Sequence, residues 1–297
     1  MKQNHYLVDC SYLCYYAGYS SFKQYCYNFD IPNNELNPEF DPTLDSEFGE
    51  IFKGSLERCI LNPLYDKIPI IDKSKFIFCM DCARKNIWRR EIYPEYKLDR
   101  DIRDTSKDKF NLGKIFRYAY EIALPTICEQ YNAQRVLCNC AEGDDVIAVL
   151  TNYFISNTKD NVIIISCDKD MLQLYNDRVS IFNIEGEKRD PKHELEKAIK
   201  QQIDQDITAN DYLLFKILIG DGADGIPNIK NGVGPKKAWK YVQDKNMLKQ
   251  LLTEDITIAD SFMRNKKLIS MKEIPQEIHD IILEEYKNGL KENNVIC

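Results

Sequence analysis

Three apolar runs in this chain end on an acid: YLVD (6–9), KFIFCMD (75–81) and NVIIISCD (161–168). Each has the length of a strand and is rich in β-branched or aromatic residues, and none alternates cleanly with polar positions. Strands buried on both faces of a parallel sheet have this pattern. Between them, residues 111–132 and 142–157 read as helical, with Pro125 expected to bend the first. Thr208 is placed to cap a helix through TANDYLLFKILIG, which Gly220 ends. Pro235 opens a further helix, PKKAWKYVQD, and the remainder to Cys297 reads as helical and polar. Residues 28–50, rich in Asn, Pro and acids, read as a loop. Alternating strands and helices imply an α/β fold with a mostly parallel central sheet flanked by helices. In such sheets ligands bind beyond the carboxyl ends of the strands, and Asp9, Asp81 and Asp168 all fall there.

Composition narrows the class. With 297 residues, 44% hydrophobic and 29% charged, the chain is an ordinary globular protein. No apolar run approaches the roughly 20 residues needed to span a bilayer, so no membrane partner is expected. The N-terminus, MKQNHYLVDC, carries no secretion pattern, and the eleven cysteines read as reduced thiols in a cytoplasm. Cys79 and Cys82 form one CxxC with no second pair, a poor basis for zinc. Cys10, Cys82 and Cys167 each adjoin a strand-end acid and are expected to face the core, since strand neighbours alternate. The net charge of −7 argues against a nucleic-acid partner until its distribution is considered. Residues 84–109 hold nine basic side chains against six acidic ones: Arg84, Lys85, Arg89, Arg90, Lys97, Arg100, Arg103, Lys107 and Lys109. The 227–240 turn holds Lys230, Lys236, Lys237 and Lys240 and no acid.

The acids form the candidate chemistry: Asp9; Asp81; Glu142, Asp144 and Asp145; Asp168 and Asp170; Asp221; and Asp224. Helix capping accounts for one or two acids in AEGDDVIA, not three in four residues. Nine carboxylates in one cleft would repel each other unless cations were present. Hard oxygen ligands select Mg²⁺ or Mn²⁺ over zinc. Two such ions about 4 Å apart are the usual clamp for in-line phosphodiester cleavage. The three histidines, His5, His193 and His279, belong to no motif, so water activation falls to metal.

In order, LVDCS, FCMD, AEGDDVIA, SCDKDMLQL, GDGADGIP and GVGPKKA resemble the flap endonuclease and 5′–3′ exonuclease family, from Tyr6 to about Val242. The compact length is similar to the bacteriophage members, including the RNase H-like branch. The resemblance implies that Asp9, Asp81, Glu142, Asp144, Asp168, Asp170 and Asp221 hold two divalent ions directly or through water. Asp224 matches a further acid and Asp145 a second aspartate of the same motif. WRREIYPEYKLDR resembles the segment leading into a helical arch. Lys97 and Arg100 would face the scissile phosphate, with Arg89 or Arg90 as a further contact. Tyr93 and Tyr96 read either as stacking platforms for single-stranded bases or as packing residues. Gly232-Val233-Gly234 resembles the hairpin that grips duplex DNA and holds a potassium ion, with Lys236 and Lys237 on phosphates. PNIKNGVG is one residue longer than the family spacing.

The implied organisation is a nuclease core over 1–206, with an arch insertion at 84–112, and a helix-hairpin-helix region with C-terminal helices over 207–297. The implied activity is a Mg²⁺-dependent, structure-selective 5′ nuclease, a monomer in the cytoplasm of its cell or host. Its substrates would be 5′ flaps, nicks, single-stranded 5′ ends and RNA–DNA hybrids, and its role primer and flap removal beside a polymerase or single-strand-binding protein. Two rival readings are a PIN-type ribonuclease, which would need neither the basic insertion nor the glycine hairpin, and a non-catalytic DNA-binding module, which should have lost several acids.

Overall fold

Six strands make one sheet: β1 (Asn4–Asp9), β2 (Phe76–Met80), β3 (Gln134–Leu137), β4 (Asn161–Ile165), β5 (Val179–Phe182) and β6 (Lys188–Arg189). The computed structural model describes residues 2–31, 41, 44–68, 70–100 and 112–295. Strand order is β3-β2-β1-β4-β5-β6, parallel throughout except for β6. The chain winds outward from β1 through β2 to β3, then restarts on the other side of β1 with β4. That reversal opens a crevice at the carboxyl ends of β1 and β4, where a doubly wound sheet binds its ligand.

Burial on both faces explains the unbroken apolar runs. Tyr6, Val8, Phe76, Phe78, Ile163 and Ile165 pack into one core with α1 (Cys10–Asn28) and α2 (Ser46–Leu61). Leu7, Ile77, Val162 and Ile164 pack into the other. Three helices escaped the sequence reading: α1, α2 and a short one over Pro191–Ile199. In α1 the buried positions 10, 13, 14, 17 and 21 follow a helical stripe, obscured by tyrosines that favour strands as readily. The loop expected over 28–50 ends earlier, because Asp45 accepts from Phe48 N at 2.9 Å and starts α2 at Ser46.

The remaining helices are α3 (Arg89–Ile92), α4 (Leu112–Tyr118), α5 (Leu124–Tyr131), α6 (Gly143–Asn157), α7 (Pro191–Ile199), α8 (Ala209–Ile219), α9 (Pro235–Gln243), α10 (Lys245–Glu254), α11 (Ile256–Ile269) and α12 (Gln276–Val295). Between α4 and α5 the backbone widens to a π-helical turn, Ala119–Ala123, just ahead of Pro125, as a proline without an N–H demands. Thr208 caps α8 through Asp211 N at 3.1 Å, and the helix stops at Gly220. The second core continues without interruption into these later helices, through Tyr212, Phe215, Trp239, Ile278 and Tyr286. No helix among the described residues is long and apolar enough to cross a membrane.

Candidate metal centre and nucleic-acid cleft

Sheet register brings the first acids together. Val8 pairs with Phe78 on one side and Ile165 on the other, so Asp9 lies level with Cys79 and Ser166. Asp81 and Asp168 stand two residues further along the flanking chains. Asp9 also caps α1, accepting from Tyr12 N at 3.0 Å, while Ser166 Oγ donates to it at 2.6 Å. The same Ser166 oxygen accepts from Asp168 N at 2.9 Å, and Asp168 accepts from Asp170 N at 2.7 Å. Asp81 accepts from Ser11 Oγ and Gly143 N, tying the end of β2 to the starts of α1 and α6. Glu142 is the N-cap of α6 and Asp144 lies in its first turn.

Asp221 and Asp224 reach the same place on the turn after α8. Asp221 and Ile226 exchange both backbone hydrogen bonds at 2.8 Å. Gly225, at φ +74, faces the Glu95 carbonyl, which an added Cβ would meet at 3.1 Å, so glycine is required for this approach. The approach seats Lys97, whose N–H donates to Asp224 O at 2.9 Å. Lys97 Nζ bonds Glu142 and lies 3.6 Å from Asp224. Its backbone, at φ +57, is held in a region that non-glycine residues avoid. Arg100 donates to Asp224 and to Ala223 O. Tyr96 OH donates to Glu142 at 2.9 Å, with Asp224 3.3 Å away. Lys216 of α8 donates to Asp221 at 2.6 Å and lies 3.0 Å from Asp170.

The electrostatics split the acids. Burial would raise Glu142, but Lys97 and Arg89 outweigh it and hold it down to about 2. Burial likewise opposes, and Lys216 overcomes, so that Asp221 is lowered. In contrast, burial first and neighbouring acids second push Asp81 up to about 7. Asp170 also rises to about 7, from burial, with Lys216 only partly offsetting. Asp9 and Asp144 are raised by burial and by Asp168. All four contribute stability that is complete below the ordinary carboxylate range and is lost as pH rises above it, for Asp81 and Asp170 through about 7. Glu142 and Asp221 act oppositely, losing theirs only as pH falls below that range. In chelator, the melting temperature should therefore fall from about pH 5 to about pH 8, and divalent ions should restore it at the upper end. A flat profile in scanning calorimetry would contradict this assignment of charge.

Among the described residues no histidine, cysteine or carboxylate trio is already arranged as a closed metal cage. Lys97, Arg100 and Lys216 hold several of the oxygens instead. The donor set still suits a hard divalent ion, being all carboxylate, and Asp170 Oδ1 is buried with no hydrogen-bond partner. Its 3.0 Å approach to Lys216 is a charge contact outside hydrogen-bond alignment. A cavity of about 640 Å³ runs from Asp168, Asp221 and Asp224 to Val233, Gly234 and Pro235, joining the acids to the hairpin. There Gly232, at φ +80, turns the chain, while Lys236 and Lys237 are exposed on the first turn of α9.

Several expectations need correction. Asp145 does not share the cleft with Asp144: it is fully buried, accepting from Arg89 at 2.7 and 2.8 Å and from Trp88 Nε1 at 3.0 Å. Arg89, expected beside the phosphate, is only 4% exposed. It spends its guanidinium on Asp145, Glu142 and Leu268 O. Arg90 donates to Tyr96 O at 3.1 Å. Tyr96 is buried, so it packs and hydrogen-bonds and offers no stacking face; Tyr93 is half-buried beneath Arg264. Val233 is a buried anchor whose side chain cannot touch DNA. Cys10 faces the core as expected, but Cys82 and Cys167 lie past their strand ends and are partly exposed. Much of the arch, including Arg103, Lys107 and Lys109, falls outside the described residues. Asp145→Asn should cost about 3 kcal/mol of folding stability, the low end for breaking a buried pair, because Glu142 still faces Arg89. Urea denaturation measures it, and unchanged stability with lost cleavage would return Asp145 to the cleft.

Residues 58–205 match the family described as 5′–3′ exonuclease, N-terminal resolvase-like domain. A 5′–3′ exonuclease of Buchnera aphidicola subsp. Schizaphis graminum is 28% identical over 263 residues, 88% of this chain and 77% of that one. The chain belongs to the flap endonuclease and 5′–3′ exonuclease family. Solved structures agree in fold. Bacteriophage T5 5′-exonuclease with zinc bound is similar at TM-score 0.65 and 19% identity, over 98% of this chain and 100% of that one. A complex of bacteriophage T5 flap endonuclease with DNA and metal ions gives 0.62 and 18%, over 98% and 100%. In this exonuclease-family chain the sequence reading missed Lys216, Ser11 and Ser166. Lys216 left one signal, the single cation in the otherwise apolar stretch YLLFKILI; the two serines, each two residues from an aspartate in LVDCS and SCD, left none beyond that spacing.

Proposed function

We propose that this chain is a Mg²⁺- or Mn²⁺-dependent, structure-selective 5′ nuclease that cleaves DNA at 5′ flaps, nicks and single-stranded ends, and RNA in RNA–DNA hybrids. One observation carries the reading: acids from β1, β2, α6 and the segment after β4 lie within charge range of one another at the switch point of the sheet, and Asp168, Asp221 and Asp224 line a cavity that opens onto the glycine hairpin. Asp9, Asp81, Glu142, Asp144, Asp168, Asp170, Asp221 and Asp224 are the residues that would hold two divalent ions. Such ions supply Lewis acidity toward water and the leaving oxygen. The chain's own part is to position and to add charge. Ser11 and Ser166 orient Asp81 and Asp9. Lys97 and Arg100 bring positive charge to the place where a phosphate becomes more anionic. Lys236, Lys237 and the α9 N-terminus offer sequence-independent contacts to the duplex backbone, so shape and not base identity selects the substrate. A potassium ion at the hairpin would draw on the turn's carbonyls, of which Lys230 O and Val233 O each also accept one hydrogen bond, from Val233 N and Asn228. Primer and flap removal during replication is the role this activity would serve, in the cytoplasm and beside a polymerase or single-strand-binding protein.

The deciding experiment offers the pure protein a 5′-labelled flap, a nicked duplex, an RNA–DNA hybrid and a matched single-stranded RNA, with and without Mg²⁺. Metal-dependent cleavage near the junction is expected. Preference for the free RNA would instead select a PIN-type ribonuclease, and inertness on every substrate a DNA-binding module.

A further inference from the structure

The acids of the cleft differ in what faces them, and Glu142 and Asp224 share the ammonium of Lys97 on the arch side. Asp9 and Asp81 are held by neutral donors: Ser166 Oγ and Tyr12 N for the first, Ser11 Oγ and Gly143 N for the second. Among the described residues no donor holds the Asp144 carboxylate. Asp170 and Asp221 differ, because one ammonium touches both: Lys216 Nζ lies 2.6 Å from Asp221 and 3.0 Å from Asp170. These two acids come from separate segments, one after β4 and one after α8, and among the described residues Lys216 is the cation that bridges them. Its setting is unusual. It sits on a helix whose Tyr212, Leu213, Phe215, Ile217 and Leu218 are buried, and a lysine is costly there unless paired.

The geometry points to Lys216 as a built-in counter-ion that holds Asp170 and Asp221 together until a divalent cation displaces it. This rests on the reading of those two acids as metal ligands. An ammonium is a point charge on a flexible four-carbon stem, and Lys216 lines the 640 Å³ cavity into which it can swing. Asp170 Oδ1 is buried and faces Lys216 Nζ at 3.0 Å, so it is an oxygen that the ammonium must release before an ion can take it. Lysine and a divalent ion cannot hold the same oxygens, so the affinity of this half of the site is lowered by whatever the ion pair is worth. Among the described residues no cationic side chain bonds Asp9, Asp81 or Asp144 in the other half. Two ions should therefore bind unequally, the weaker one against Lys216.

The test is calorimetric titration of Mn²⁺ into the metal-free full chain, wild type against Lys216→Met and Lys216→Gln, with melting curves in chelator. Wild type should show one tighter and one weaker ion. Both variants should strengthen the weaker ion about tenfold, melt lower without metal, and gain more from metal than wild type does. Lys216→Arg, which keeps the charge, should leave the weaker ion weak. If wild type binds two ions and neither variant strengthens the weaker, the counter-ion role is wrong while the metal centre stands. If wild type binds no Mn²⁺, the metal reading fails and this inference with it. Circular dichroism identifies a variant that has not folded, and the other variant then decides.

Discussion

Asp144→Asn should lower metal-dependent cleavage of a 5′ flap by about 10³-fold, since several kcal/mol of metal-supplied stabilisation is at stake and about 4 kcal/mol is three decades in rate. The change should not harm the fold. Asp144 is surrounded by the charges of Asp168, Asp9 and Asp81, and no donor among the described residues holds it. Replacing a crowded carboxylate by its isosteric amide relieves repulsion, so the metal-free melting temperature should rise as activity disappears. Single-turnover cleavage and calorimetry in chelator read the two effects separately. A loss of both activity and stability would make Asp144 a structural residue. Asparagine at the neighbouring Asp145 has the opposite signature, loss of stability.

Lys97→Met is expected to reduce the cleavage rate by about 10²- to 10³-fold, the usual cost of removing one charged or hydrogen-bonding group aimed at developing negative charge. Methionine keeps the length and apolar contacts of the stem, so the loss falls on the ammonium. That group is nearly enclosed, with Glu142 and Asp224 raising its proton affinity well above normal against the effect of burial, so it stays charged across the working pH range. The rate constant at saturating flap should fall while flap affinity, set largely by the hairpin lysines, changes little. A fall in affinity alone would mark Lys97 as a binding contact. Without metal, Lys97→Met also leaves Glu142 short of its closest cation, so its melting temperature in chelator should drop.

The fold could be read from sequence where burial is two-sided and local. Three apolar runs ending on acids appear as β1, β2 and β4, and their register explains why the acids meet. The short strands β3 and β5, four residues each, carry too little pattern to be found. β3 in particular alternates buried with exposed positions, ending on the exposed Leu137, as an edge strand does. Thr208, Gly220 and Pro235 acted as expected because caps and stops depend on the chain's own backbone within a few residues.

The identity of the acids, their place at strand ends and helix starts, and the oxygen-only character of the donor set were determined by the sequence itself. Such features depend on local backbone preference and on which residue types are present. Tertiary structure alone decided which charges are free. Asp144 and Asp145 are neighbours in sequence, yet successive helix positions point about 100° apart, so one meets other acids and the other meets Arg89, 56 residues away. Arg89 looked like a phosphate ligand and became part of the core; Lys216 looked like an incidental cation and became the link between two acids. The energy of a charge depends on how buried it is and what stands within a few ångströms. Contacts of that kind join residues far apart in the chain, so local pattern does not record them.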